Sequence, residues 1–165
     1  MTTKKHVMSI IYPPKIPAVL SGDCTQSIRA GRNVSVDDEI LFHTWDRKPY
    51  SKGSKWNNLK RVTVIEIQDI MISTDGIGAD NGHILYPWND MMPRIWAEHD
   101  FIDPPTGEAL RDVLFGLNGA PKEPAEYQII RWVEMPSCDN CITDCLNQMT
   151  EGDDGKCLSY KSKVV

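Results

Sequence analysis

The stretch from Ser21 to Arg29 holds the residues of this chain that are best suited to bind a ligand. Its last five residues are expected to form a strand, in which side chains alternate between two faces, so Thr25, Ser27 and Arg29 share one face. Two hydroxyls and a guanidinium can hold a phosphate, a carboxylate or a nucleobase edge, because arginine presents its donors in a planar fork. An arginine that pins a loop through backbone carbonyls fits the same spacing equally well.

A second candidate surface lies in the segment 28–61, which combines basic and aromatic residues. It holds eight basic residues against four acidic ones, whereas the whole chain carries a net charge of −5. Cations beside aromatic rings are typical of single-stranded nucleic-acid binding, because they supply phosphate contacts and stacking faces together. A solvated hairpin loop whose aromatic residues cover one end of the fold would have the same composition. The candidate ligand-binding residues of this segment are Trp45, Arg47, Lys48, Lys52, Lys55 and Trp56.

The hydrophobic pattern indicates the strands that would position these residues. Period-two alternation and β-branched side chains predict strands near Val7–Ile11, Gln26–Arg29, Glu39–Thr44, Arg61–Ile72 and Tyr127–Val133. The run 61–72 is long enough to curl around a small barrel. The glycine-rich stretch 73–82 is expected to be a loop.

Helices are expected on either side of this strand-rich region. A short amphipathic helix should end at Gly22, which adopts a left-handed backbone conformation at little steric cost. Two further helices are predicted after residue 88, because side chains that can accept hydrogen bonds from free backbone N–H groups precede apolar runs there. The expected caps are Asn89 or Asp90 for the first of these helices and Thr106 for the second.

The Ser21–Arg29 stretch resembles the signature of the ASCH domain family, which belongs to the PUA-like superfamily. That signature is roughly Gly-x-Lys-x-x-Glu-x-Arg. Gly22 and Arg29 match it, Cys24 occupies the position of the lysine, and Ser27 replaces the glutamate, where other members carry threonine.

Two further segments support the resemblance. The residues from Val36 to His43 look like the family's entry into its next strand, and Tyr127–Trp132 looks like its closing strand. The resemblance covers about residues 6–133 and implies an α+β fold, a small PUA-like β-barrel with flanking helices. We therefore expect an ASCH-like domain over residues 1–135 and a separate tail over residues 136–165.

The resemblance also implies a nucleotide-related function. We expect binding of RNA or a modified nucleotide in a cleft between the Arg29 strand, the basic loop 47–61 and Asp100. Some ASCH proteins are amidohydrolases of acylated cytidine, which use a Lys and a Thr of the first motif and an acid from a segment similar to 97–102. By position these map to Cys24, Ser27 and Asp100, the catalytic residues of this alternative. If the lysine is indispensable, we expect no turnover, because a thiol lacks the charge of an amine.

A cluster of cysteines follows the ASCH-like region. Four of the five cysteines fall within twenty residues, and in a cytosolic chain this favours metal binding over disulfides. Four thiolates complete a tetrahedral structural site, with zinc as the first interpretation and an iron–sulfur cluster as the second. Two disulfides or free thiols are the remaining interpretation, and a tail that docks a protein partner is a third candidate function. The proposed ligands are Cys138, Cys141, Cys145 and Cys157.

Length and composition are those of one folded domain. The chain has 165 residues, of which 41% are hydrophobic and 25% charged, which suits a single domain with its own core. It contains no apolar run of the roughly eighteen residues that a membrane helix requires. Its first residues lack the apolar core of a secretory signal. We therefore expect a cytoplasmic protein without membrane contacts.

Overall fold

The computed structural model describes residues 3–31, 33–48, 51–78 and 84–135. Within these residues the chain forms seven strands and three helices, a mixed α+β arrangement. In chain order the elements are β1 (Lys5–Ser9), α1 (Lys15–Ser21), β2 (Gln26–Ala30), β3 (Glu39–Trp45), β4 (Trp56–Ile72), β5 (Gly76–Gly78), β6 (Ile84–Pro87), α2 (Met91–His99), α3 (Gly107–Asn118) and β7 (Ala125–Glu134).

All seven strands join one sheet, and the 17-residue β4 is its organising strand. β4 pairs antiparallel with β3 near its start, with β7 from Val62 onwards and with β5 at its end. β1 adds to β3 in parallel, β2 adds antiparallel to the far side of β7, and β6 adds antiparallel to β5. A register shift between Val64 and Glu66 interrupts the pairing of β4 with β7.

Two hydrophobic clusters form the core. The first contains apolar residues of β2, β4 and β7 together with Trp88, Trp96 and Leu110, so it lies where α2 and α3 meet the sheet. The second contains Val19 of α1 and Phe42 of β3, with further residues of β4 and β7. β4 and β7 contribute residues to both clusters, because these two long strands extend past both clusters.

The helix ends follow the expected cap chemistry. α1 ends at Gly22, whose φ of 88° is in the left-handed region that glycine tolerates best. The Asp90 carboxylate accepts the Met91 N–H at the start of α2, and Thr106 Oγ1 accepts the Ala109 N–H at 3.1 Å at the start of α3. The predicted caps Asp90 and Thr106 are therefore confirmed.

The predicted strands are found, with differences at their ends. β1 begins and ends two residues before the predicted Val7–Ile11, and β4 begins five residues before the predicted Arg61. The prediction of a continuous loop over 73–82 was wrong at Gly76–Gly78, which form β5. These three residues are buried, and they pair with the end of β4 and with β6.

None of the described helices has the length and apolarity needed to cross a membrane. The predicted Cys-rich tail, residues 136–165, lies outside the described residues.

Candidate functional site

A cavity of about 110 Å³ lies where the sequence-predicted strand β2 meets the helices. Its wall combines residues that follow β1, the first residue of α1, most of β2, the end of α2 and one face of α3. The polar wall residues are Tyr12, Lys15, Ser27, Arg29, Asp100 and Asn118. The apolar ones are Ile10, Ile11, Ile28, Ala30, Ile102, Val113, Leu114 and Leu117.

A buried ion pair forms part of this wall. Lys15 Nζ donates to Asp100 Oδ1 at 2.7 Å, and the two side chains are only 5% and 9% exposed. Lys15 is the first residue of α1, and Asp100 is the residue at which α2 ends, so the pair joins two helices that are 85 residues apart in the chain. Charges are rarely buried without a partner, because desolvation costs several kcal/mol per ion. The pair therefore fixes the relative position of the two helix ends.

Arg29 supplies a second cation beside Asp100. Its side chain is only partly buried, but its Nε atom is fully buried and has no hydrogen-bond partner among the described residues. Burial lowers the pKa of the Arg29 guanidinium, and the neighbouring Asp100 carboxylate opposes this effect. A buried donor without a partner costs free energy. Arg29 Nε is thus a buried donor beside the cavity whose hydrogen-bonding capacity the described residues do not use.

The protonation of Asp100 is set by opposing influences. Burial raises the pKa of its carboxyl, whereas Lys15, Arg29 and a hydrogen bond from the Ile28 backbone N–H lower it. The Ile28 N–H is free for this contact because β2 is paired on one side only, with β7. The carboxylate therefore has three donors or cations around it.

Ser27 completes the polar wall. It is 4% exposed and lies on β2 two residues before Arg29. The predicted group of Ser27, Arg29 and Asp100 is therefore brought together around one cavity. Thr25, the other predicted hydroxyl, is exposed and lies outside the wall, where its carbonyl accepts the Trp132 N–H at 3.1 Å.

Cys24 lies in the core and not in the cavity wall. It is fully buried, it belongs to the second hydrophobic cluster, and its Sγ donates to the Gln26 carbonyl at 3.3 Å. Burial raises the pKa of this thiol, with smaller opposing contributions from Lys15 and from a backbone hydrogen bond with Gln26, and Asp100 adds to the rise. A protonated thiol is a poor nucleophile.

Lys15 is a charged residue of the cavity wall that the sequence analysis did not single out. An amine lies beside Asp100, and it comes from α1 rather than from the Gly22–Arg29 motif. A signal was present in the sequence: Lys15, Ala18 and Val19 have the i, i+3, i+4 spacing of one helix face, and all three are buried. A lysine on an apolar helix face is a candidate for a buried ion pair.

The basic segment forms a separate feature at the end of the β3–β4 hairpin. His43, Trp45 and Trp56 pack together there, and the charged side chains of Arg47, Lys48, Lys52 and Lys55 are exposed. None of the described residues between 47 and 61 lines the cavity. The expected single cleft is therefore two features, a cavity beside β2 and a basic hairpin.

No cluster of three or more potential metal ligands occurs in the part of the chain that the structure describes. The four cysteines proposed as metal ligands lie outside it.

Comparison of the chain with protein-family models, with curated proteins and with solved structures gave no match.

Proposed function

We propose that this chain is an ASCH-like domain of the PUA-like barrel type that binds a modified nucleoside or nucleotide, free or within RNA. The observation that supports it best is the group of Lys15, Arg29 and Asp100 around one small cavity, with an unpartnered guanidinium nitrogen. The motif resemblance and the mixed α+β sheet are consistent with it.

The charge of the wall indicates the chemistry of the ligand. Two cations surround one carboxylate, so the site carries an excess of positive charge and of hydrogen-bond donors. Such a site favours an anionic or carbonyl oxygen against Arg29, because charge-assisted hydrogen bonds are stronger than neutral ones. The Ser27 hydroxyl can donate or accept a further bond.

The size of the cavity indicates how much of the ligand it holds. A volume of about 110 Å³ exceeds the space that one water molecule needs, but it is smaller than the roughly 300–1,000 Å³ of pockets that enclose a whole drug-sized ligand. The cavity therefore suits one ring or head group, with the rest of the ligand outside. A nucleobase with its sugar and phosphate at the mouth satisfies this requirement.

Calorimetric titration with nucleosides, modified nucleosides and nucleoside monophosphates tests this proposal. Arg29→Gln should weaken binding by about 10- to 100-fold, because hydrogen bonds to charged groups contribute roughly 1.5–3 kcal/mol. Arg111→Gln is the matched control, since the Arg111 guanidinium pairs with Asp112 outside the cavity wall. Equal affinity of the two variants, or no binding of any compound by the wild type, would contradict the proposal.

The buried Lys15 favours a second candidate function, hydrolysis of an N-acylated cytidine. The amine that the motif lacks at Cys24 is supplied beside Asp100 by α1. In this reaction the Ser27 hydroxyl would attack the acyl carbon, and Asp100 would take its proton and pass it to the leaving exocyclic nitrogen. Water would then release the acyl group from Ser27, while the positive charge of Lys15 stabilises the oxyanion.

Release of free carboxylic acid from an N4-acyl cytidine distinguishes the two candidates. An enzyme should lose activity in Ser27→Ala, in Asp100→Asn and in Lys15→Met, and keep it in Cys24→Ala, because Cys24 lies outside the cavity wall. Nucleoside binding without turnover supports the binding function. Turnover that persists in all four variants comes from another site or a contaminant.

A further inference from the structure

The end of the β3–β4 hairpin presents a layered aromatic arrangement. Trp45 and Trp56 face each other across the two strands, and the Trp56 ring stacks on His43 with a centroid distance of 4.3 Å and an interplanar angle of 18°. Trp45 contacts both rings edge-on, at 5.7 Å from Trp56 and 5.6 Å from His43. One face of the Trp56 indole is therefore stacked on His43, and the Trp45 ring lies nearly perpendicular to the Trp56 ring.

The exposure of Trp56 is unusual among the tryptophans of this chain. Its side chain is 52% exposed, whereas Trp88, Trp96 and Trp132 are at most 5% exposed. Because His43 stacks on one face of this indole, a further planar group can stack only on the opposite face. A flat aromatic face backed by a stacked ring is a rigid surface on which another planar group can stack.

The charges around this face are mostly positive. Arg47, Lys48, Lys52 and Lys55 are exposed on the same hairpin, although the chain as a whole carries a net charge of −5. The nearby acid, Asp46, accepts the Lys55 backbone N–H at 2.7 Å. The Asp46 carboxylate keeps its negative charge, but the four cations outnumber it, so the hairpin end is positive overall.

We propose that the end of the β3–β4 hairpin, residues 45–48 and 51–56, is a stacking platform for single-stranded nucleic acid. One base extends the stack of His43 and Trp56, and the flanking phosphates lie against the hairpin cations, whose charge complements the strand. Base stacking on an aromatic side chain with phosphate contacts beside it is the usual mode of single-strand binding. The choice of nucleic acid as the partner rests on the proposed function, but the platform is a site distinct from the cavity.

The sheet brings the platform and the cavity to the same end of the β1–β3 pair. The Ile10 N–H still donates to the His43 carbonyl at 2.8 Å just after β1 ends, and the chain then continues into the cavity wall at Ile11 and Tyr12. β3 continues from His43 to Trp45 in the same direction, because β1 and β3 are parallel. The cavity and the platform therefore lie toward the same end of this strand pair.

Fluorescence anisotropy with a labelled ten-nucleotide oligo-U RNA at low salt tests the platform. Trp56→Leu should weaken binding by about 5- to 150-fold, because stacking of one base contributes roughly 1–3 kcal/mol. Trp56→Phe, which keeps an aromatic face, should lose less. Ile65→Ala on the same strand is the matched control, since Ile65 is also 52% exposed, and it should bind like the wild type.

The salt dependence tests the cations. Lys52→Ala combined with Lys55→Ala should reduce the steepness of log affinity against log salt by about 1.4, because each phosphate contact to a single strand contributes roughly 0.7. Wild-type affinity of Trp56→Leu for the RNA, or an equal loss in Ile65→Ala, overturns the platform. Nucleoside titration of Trp56→Leu distinguishes the platform from the cavity. Unchanged nucleoside affinity together with lost RNA affinity supports the platform, and this result does not depend on the effect of Arg29→Gln on nucleoside binding.

Discussion

The buried Lys15–Asp100 pair should dominate the stability of the region around the cavity. Asp100→Asn leaves two cations, Lys15 and Arg29, beside a group without charge, whereas Lys15→Met leaves a carboxylate that still has Arg29 and the Ile28 N–H. Removal of one partner of a buried pair costs about 3–5 kcal/mol. Because Asp100→Asn leaves two buried charges without a counter-charge, we expect its loss of unfolding free energy near the upper limit of this range. The loss for Lys15→Met should lie near the lower limit.

Urea unfolding of the wild type, both single variants and the double variant measures this cycle. The double variant should be less destabilised than the sum of the single changes by about 2 kcal/mol, because the two residues contact each other directly. In thermal unfolding the Asp100→Asn midpoint should fall by roughly 12–20 °C for a domain of this size. The assay needs no ligand and no activity.

An exposed ion pair provides the control. Lys5 and Glu39 join β1 to β3 at 3.6 Å, and the Lys5 side chain is 78% exposed. Lys5→Met should change the free energy of unfolding by less than about 1 kcal/mol, because exposed pairs are screened by water. Single changes at Lys15 and Asp100 as small as that of Lys5→Met, with no coupling, would refute the buried pair.

Three further predictions concern packing, pH and the tail. Gly107→Ala should destabilise the fold by about 2 kcal/mol or more in urea unfolding, because a Cβ there would lie 1.8 Å from the Trp88 carbonyl oxygen. Gly116→Ala in the same helix has free space and should stabilise the fold by about 0.5–1 kcal/mol. Similar changes in the free energy of unfolding for the two variants would contradict this packing. Burial acts to raise the pKa of Asp38, but hydrogen bonds from the Lys4 N–H, His6 and the Ser35 N–H lower it overall, so the stability that the Asp38 carboxylate contributes is present above about pH 4 and is lost as the pH falls further. Asp38→Asn should therefore lose less stability than the wild type between about pH 4 and 2. Identical acid profiles of the two proteins would exclude this role. Elemental analysis should find one zinc per chain, or visible absorption from an iron–sulfur cluster, and Cys141→Ser should remove the metal but leave the urea transition in place; four alkylatable thiols without metal would exclude both.

Sequence patterns predicted the elements of this fold better than the composition of its site. Ser27 and Arg29 both line the cavity, although Ile28, which alternation assigns to the other face of β2, lines it too. The caps Asp90 and Thr106 were correct because cap chemistry is local. Lys15 was missed because its partner lies 85 residues away. No local spacing specifies which helix ends meet.

The short strand β5 shows a second limit of sequence patterns. Gly76 and Gly78 indicated a loop, since glycine weakens strands. Their burial between β4 and β6 is a tertiary effect, in which small residues allow close approach of neighbouring strands. The basic hairpin was anticipated from its composition, but its separation from the cavity depends on where β3 and β4 end.

The passage of β4 and β7 through both hydrophobic clusters has a consequence for how this domain opens. Val62 and Ile72 of β4 lie in different clusters, as do Trp132 and Ile129 of β7, so neither cluster can separate from the sheet without breaking the same two strands. Backbone amides in the paired centre of β4 and β7 should therefore exchange with deuterium only through global unfolding, and at a common rate for both clusters. β4 and β7 thus form one cooperative unit, while β1 and β6, at the ends of the sheet path, and β2, which pairs only with β7, are the places where local fraying can begin.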